Sequence, residues 1–115
     1  MWQNSLLRDL DDAATKVSTP CGDGEMVWRR WGDRDAPVVV LIHGGAGAWS
    51  HWVRNIEPLT EHFQVISPDL PGLGESSSPP TPYSPESIAD IAAQGLEGVV
   101  NGGAFSIVGF SFGGI

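Results

Sequence analysis

The apolar positions along the chain alternate between strand-like runs and helix-like spacing. Residues 38–42 form a continuous, largely β-branched run, which is typical of a strand buried on both faces of a parallel sheet. Shorter apolar stretches at 64–67 and 105–110 predict two further strands. Between these runs, apolar residues recur at helical spacing over 49–63 and 85–100. This order of elements predicts a three-layer α/β fold, with a mostly parallel sheet, right-handed crossovers and flanking helices.

Local signals predict where the two helices begin and end. Ser84, Pro85 and Glu86 supply an N-cap, a first helical position and an acid in the first turn of the second helix. Residues 101–103, Asn-Gly-Gly, predict its end. Pro58 is expected to kink or end the first helix, because proline cannot donate the next hydrogen bond.

The first thirty residues carry a weaker pattern. Apolar residues at helical spacing predict a short amphipathic helix over 5–17, and a cluster of turn formers at 19–24 would end it. Residues 26–31 favour a strand, although two arginines lie in it. The Ser/Pro-rich segment 75–83 is interpreted as a solvated loop.

The composition limits the possible partners. With 14 acidic and 6 basic residues the net charge is −8, which argues against binding to nucleic acid. Cys21 is the only cysteine and is predicted to be structural or incidental, and no His, Cys and Asp group has metal-ligand spacing. Neither a membrane-spanning run nor a signal-peptide core is evident, so we expect a cytoplasmic protein without a membrane partner.

The segment Gly109-Phe-Ser111-Phe112-Gly113-Gly is the sharpest chemical signal in the chain. A serine that attacks a carbonyl must stand clear of the sheet, and a sharp strand-to-helix turn achieves this. The flanking positions, Gly109 and Gly113, must be small because strand and helix approach closely there. Placement straight after a predicted strand strengthens a motif that is weak alone, and it makes Ser111 the candidate nucleophile.

A glycine-rich segment, His43-Gly44-Gly45-Ala-Gly, follows the first predicted strand. Acyl transfer develops negative charge on the former carbonyl oxygen, and preorganised backbone N–H groups stabilise that charge. Glycines allow the backbone N–H groups to come close enough to that oxygen. The predicted donors of this oxyanion hole are the N–H groups of Gly45 and of Phe112, the residue after the nucleophile.

Three segments, taken in order, resemble motifs of the α/β-hydrolase superfamily. They are residues 43–47, Asp69-Leu-Pro-Gly-Leu-Gly-Glu-Ser76 and residues 109–114. Trp49-Ser-His-Trp52 resembles its esterase and carbon–carbon bond hydrolase branches. The resemblance implies that residues 21–115 are the N-terminal half of the hydrolase core.

Residues 1–20 are interpreted as an N-terminal extension.

The resemblance also implies individual roles. Ser111 would form an acyl-enzyme, while the triad acid and histidine would follow it in the chain, so the isolated 115 residues are expected to be inactive. They are also expected to be poorly stable, because the strand 105–110 would lie apolar and unpaired at the sheet edge. His43 would support the oxyanion loop, Asp69 would shape its own loop, and Trp49 and Trp52 would belong to the core.

The implied reaction is hydrolysis of an ester or related acyl bond of a small molecule, or of a C–C bond in a β-diketone-type substrate. No cofactor is implied. The substrate and the oligomeric state stay open.

Two alternatives compete with this interpretation. A dinucleotide-binding half-domain would also place a glycine-rich loop after a strand, with Asp69 at a suitable distance. However, Gly45-x-Gly47-x-x-Ser50 lacks the third glycine of that motif. The other alternative is a non-catalytic remnant or interaction fragment.

Overall fold

The computed structural model of the chain describes residues 2–43, 47–100 and 105–109, without the side chains of residues 2–5 and 51. In chain order its elements are α1 (Trp2–Ala13), β1 (Thr15–Cys21), β2 (Gly24–Trp31), β3 (Val38–Ile42), a 3₁₀ turn (Trp49–Trp52), α2 (Val53–Leu59), β4 (Gln64–Pro68), α3 (Pro85–Val100) and β5 (Phe105–Gly109). The predicted alternation of strands and helices from residue 38 onwards is confirmed.

The five strands form one sheet in the order β1-β2-β4-β3-β5. β3 runs parallel to both β4 and β5, whereas β2 runs antiparallel to both β1 and β4. The sheet is therefore mixed. Its parallel half is the predicted one, and the antiparallel half comes from the N-terminal region, where the sequence pattern was weak.

Helices cover both faces of the sheet, as predicted. On one face α1 and α2 pack around a cluster of Leu10, Trp31, Val39, Leu41, Trp49, Ile56 and Val65. On the other face α3 packs on a second cluster of Cys21, Met26, Trp28, Val40, Ile66, Leu70 and Val99. Trp49 is buried and Trp52 packs partly buried against the first cluster, which agrees with the core role expected of both.

The prediction of a helix over residues 5–17 is wrong beyond Ala13. There the chain turns into β1, which pairs antiparallel with β2 along its whole length. β1 is an edge strand, so Pro20 needs no ladder partner on its open side. Its alternate residues Val17, Thr19 and Cys21 turn inward, and this period-two pattern was hidden by polar neighbours. β1 also spans the boundary proposed between an extension and the core.

The predicted helix signals have clear structural counterparts. The backbone N–H of Ser87 donates to Ser84 Oγ at 3.1 Å, and Ser87 Oγ accepts from the Ser84 N–H at 2.8 Å, so the two serines cap α3 reciprocally. Pro58 lies in the last turn of α2, which ends at Leu59. Residues 101–103 lie outside the described residues. Every helix in the described part of the chain falls short of the length and apolar character needed to cross a membrane.

Candidate active site

The parallel pairing of β3 and β5 sets the geometry of the candidate site. Ile42 and Gly109 are register partners at the carboxyl ends of these strands. The segment that leaves β3 at His43 and the one that leaves β5 at Gly109 therefore start side by side at one edge of the sheet. β3 is also the point at which strand order reverses, since β4 lies on one side of it and β5 on the other. Gly44, Gly45, Ser111, Phe112 and Gly113 lie outside the described residues.

His43 connects the end of β3 to the loop after β4. Its side chain is fully buried, and its Nε2 accepts the backbone N–H of Leu70 at 2.9 Å. An accepting Nε2 carries no proton, so this contact assigns the imidazole as the neutral Nδ1–H tautomer. The arrangement anchors the first residue of the glycine-rich loop to the neighbouring loop.

Asp69 holds the other end of the same loop. Its carboxylate is fully buried, and Oδ1 accepts the backbone N–H of Trp49 at 2.9 Å. Oδ2 accepts the N–H of Glu75 at 3.0 Å and an Arg29 Nη1–H at 3.1 Å. Three donors on one carboxylate satisfy most of its accepting capacity. Residues 69 and 70 thus fix both ends of the segment between His43 and Trp49.

Arg29 is the buried cation at the centre of this network. Its Nε donates to Asp11 Oδ1 at 2.8 Å, its Nη1 pairs with Asp69, and its Nη2 pairs with Glu75. The guanidinium also lies over the ring of Trp49, 4.9 Å from the ring centroid. Burial opposes the charge, but hydrogen bonds and charges from Asp11 and Asp69 outweigh it and raise the pKa of Arg29 above its ordinary value.

Arg29 was not among the candidate residues from the sequence. In the sequence pattern, the two arginines of 26–31 only weakened the prediction of a strand. The available signal was a pair of arginines in an otherwise apolar strand together with an excess of acids, because a buried arginine requires carboxylate partners.

The loop after β4 is built against β2 and is not simply solvated. Ser76 Oγ accepts the Val27 N–H at 2.8 Å and donates to the Asp69 carbonyl at 2.5 Å. The Ser77 N–H donates to the Glu25 carbonyl at 2.7 Å, and Ser77 Oγ accepts the Glu25 N–H at 3.0 Å. The interpretation of 75–83 as solvated loop is therefore wrong for Ser76 and Ser77, whose hydroxyls complete the pairing of the β2 edge.

An apolar cavity of about 410 Å³ lies between α3 and the carboxyl ends of the strands. Its walls include Trp28, Ile42, Leu70, Ile88, Leu96 and Ile107. Ile42 and Leu70 are the immediate neighbours of the residues that anchor the glycine-rich loop. The candidate site thus adjoins a surface that favours apolar groups. No group of three His, Cys, Asp or Glu side chains within the described ranges could hold a metal ion.

A sequence model of the family described as alpha/beta hydrolase fold matches residues 37–115, well over half of the chain. The chain belongs to this family.

Several hydrolases are similar to parts of the chain. The candidate carbamate hydrolase RutD of Escherichia coli is 37% identical over 81 residues, which cover 69% of this chain and 30% of RutD. The soluble epoxide hydrolase of Corynebacterium sp. is 43% identical over 51 residues, covering 44% of this chain and 18% of that enzyme. The solved structure of a candidate lipase from Acinetobacter baumannii superposes with a TM-score of 0.81 at 32% identity, covering 99% of this chain and 39% of the lipase.

The chain therefore spans well under half the length of these α/β-hydrolases. Family membership favours the hydrolase interpretation over the dinucleotide-binding alternative. Of the residues selected from the sequence, His43 and Gly109 lie in the described part, at the ends of the two adjacent strands. Asp69, which the resemblance assigned to loop shaping, is found as the acceptor that ties the two loops together.

Proposed function

We propose that the protein carrying this chain is a serine hydrolase that cleaves an ester or related acyl bond of a small molecule. Ser111 is its nucleophile, and the N–H groups of Gly45 and Phe112 form its oxyanion hole. The observation that carries the proposal is the register of Ile42 with Gly109, because it starts both segments from adjacent strand ends. Such adjacency is what a nucleophile and an oxyanion hole require of each other.

The chemistry proceeds in two steps. Ser111 Oγ attacks the carbonyl carbon while a histidine takes its proton, and the charge on the carbonyl oxygen is met by the two backbone N–H groups. The leaving group departs with that proton, and water then hydrolyses the acyl-enzyme. Family order places the histidine and its acid after Ser111 in the chain, so we propose that residues 1–115 alone are inactive. No cofactor takes part.

The substrate class rests on two observations. Serine at position 111 favours acyl chemistry over the epoxide and haloalkane branches of the superfamily, which the resemblance associates with aspartate at that position. RutD is named for a carbamate, whose reacting centre is also a carbonyl. A cytoplasmic location and the absence of a nucleic-acid partner stay predictions.

The test is turnover of p-nitrophenyl acetate by the full-length protein, its Ser111→Ala variant and a Ser18→Ala control. Ser18 is exposed on the edge strand β1, far along the sheet from the candidate site. We expect Ser111→Ala to abolish catalysed turnover and the control to retain it. Mass spectrometry of the quenched wild type should show an acetyl group on the peptide containing Ser111. Undiminished turnover in Ser111→Ala would contradict the proposal.

A further inference from the structure

Helix α1 lies outside the part of the chain that the family model matches. It nevertheless contacts residues that pack against the end of the candidate oxyanion loop. The match begins at residue 37, whereas α1 is Trp2–Ala13. Asp11, in its last turn, accepts the Arg29 Nε–H at 2.8 Å. The guanidinium is thereby tied to α1 on one side and to the loops on the other.

The contacts continue without interruption from α1 to the loop. Arg29 pairs with Asp69, and Asp69 accepts the N–H of Trp49, the residue at which the loop after His43 ends. Both side chains of the Arg29–Asp69 pair are buried, so water does not replace one of these contacts when it is strained. A shift of the guanidinium is consequently transmitted to the Trp49 amide.

A second contact links α1 to the same point. Trp31 Nε1 donates to the Leu10 carbonyl of α1 at 2.7 Å, in a buried hydrogen bond. The Trp31 ring packs against the Trp49 ring with centroids 5.5 Å apart. Trp49 therefore lies between a guanidinium and an indole ring, and α1 orients both of these groups.

We propose that helix α1 is a positioning element for the oxyanion loop, acting through Asp11 and Arg29 and through Leu10 and Trp31. The inference rests on the proposed function, in which this loop supplies a donor to the transition state. None of these side chains touches the substrate. Displacing the loop weakens a contact that matters most in the transition state, so kcat falls while KM changes little.

The decisive variant is Asp11→Asn in the full-length protein, with Asp12→Asn as its matched control. Asp12 is the exposed neighbour of Asp11 on the same helix and loses the same charge. We expect Asp11→Asn to lower kcat about tenfold, which is less than the hundredfold that a misplacement of about 1 Å can cause. Asp11→Glu should recover part of this loss. Titration of reactive serine with a fluorophosphonate normalises kcat to folded enzyme, so a merely lower stability does not imitate the effect.

Hydrogen exchange at the Trp49 amide supplies a readout that is independent of activity. This amide donates to Asp69, and we expect its exchange to be faster in Asp11→Asn than in Asp12→Asn. Equal kcat and equal Trp49 exchange in the two variants would overturn the inference. Full activity in Ser111→Ala would overturn the proposed function instead, and the exchange comparison would still decide whether α1 positions the loop.

Discussion

Arg29 and Asp69 form an ion pair with 3.1 Å between Nη1 and Oδ2, and their side chains are only 2% and 0% exposed. Removing two charges from water is costly, and their mutual attraction offsets the cost only when further hydrogen bonds satisfy both groups. Here each partner has them: Asp69 also accepts the N–H groups of Trp49 and Glu75, and Arg29 also donates to Asp11 and Glu75. The pair joins β2 to the loops that follow β3 and β4.

Asp69→Asn should strongly destabilise the fold. The substitution leaves the buried Arg29 charge without its most deeply buried partner and turns an amide toward the guanidinium. Breaking a buried pair in this way costs about 3–5 kcal/mol. Urea unfolding measures the loss. Asp90→Asn, an exposed position on α3, is the control and should stay within about 0.5 kcal/mol of wild type. Equal midpoints for the two variants would contradict the assigned role of the pair.

Gly74→Ala should destabilise the fold more than Gly72→Ala. Both glycines have positive φ, +53° and +82° respectively, so alanine at either position adds strain of about 1–2 kcal/mol. A Cβ on Gly74 would also overlap the Asp69 carboxylate, whereas a Cβ on Gly72 would meet only Pro79 at an ordinary 3.5 Å. Chemical denaturation of both variants tests this order, and a smaller loss for Gly74→Ala would contradict it.

Alanine at two glycines of α3 should have opposite effects. A Cβ on Gly95 would lie 2.6 Å from Thr19 Oγ1 and 2.9 Å from the Trp28 ring, so Gly95→Ala should cost about 1–3 kcal/mol. A Cβ on Gly98 would meet nothing within 4 Å, so Gly98→Ala should stabilise the helix by about 0.5–1 kcal/mol. Thermal unfolding provides the comparison. A shift in the same direction for both would show that α3 is not packed as described.

Stability should depend on the Asp11 carboxyl at acidic pH. The hydrogen bond from Arg29 holds the pKa of Asp11 below its ordinary value of 3.8, although burial opposes this. A carboxyl whose pKa is depressed by folding contributes stability above its unfolded pKa and loses it as the pH falls through the folded pKa. Wild type should therefore exceed Asp11→Asn in unfolding free energy at neutral pH, and the difference should shrink below pH 3.8. Urea unfolding of both proteins across this pH range measures the difference. A difference in unfolding free energy that grows on acidification would contradict the prediction.

The elements that could be predicted from the sequence are those whose patterns reflect burial directly. The run 38–42 is apolar throughout because β3 lies between two strands and between two helix layers. Ser84 could be assigned as a cap because its chemistry is local to the first turn of α3. β5 is an exception, because its apolar run located it although Phe105 and Ile107 are exposed at the sheet edge.

The elements that escaped prediction depend on partners far along the chain. β1 alternates inward and exposed residues because only one of its faces is covered, but its inward positions include the polar Thr19, and Pro20 looked like a breaker rather than an edge residue. Arg29 is buried because Asp11 and Asp69, 18 and 40 positions away, converge on it. This convergence arises only in the tertiary structure, whereas the composition shows only an excess of acidic residues.

The pairing of Trp31 with Trp49 gives the protein an intrinsic optical reporter. Two indole rings with centroids 5.5 Å apart and planes tilted by 39° couple their electronic transitions, and one of them closes the glycine-rich loop. A near-ultraviolet circular dichroism difference between wild type and Trp49→Phe would isolate that couplet from the other tryptophans. Loop movement during substrate turnover could then be followed without any attached dye.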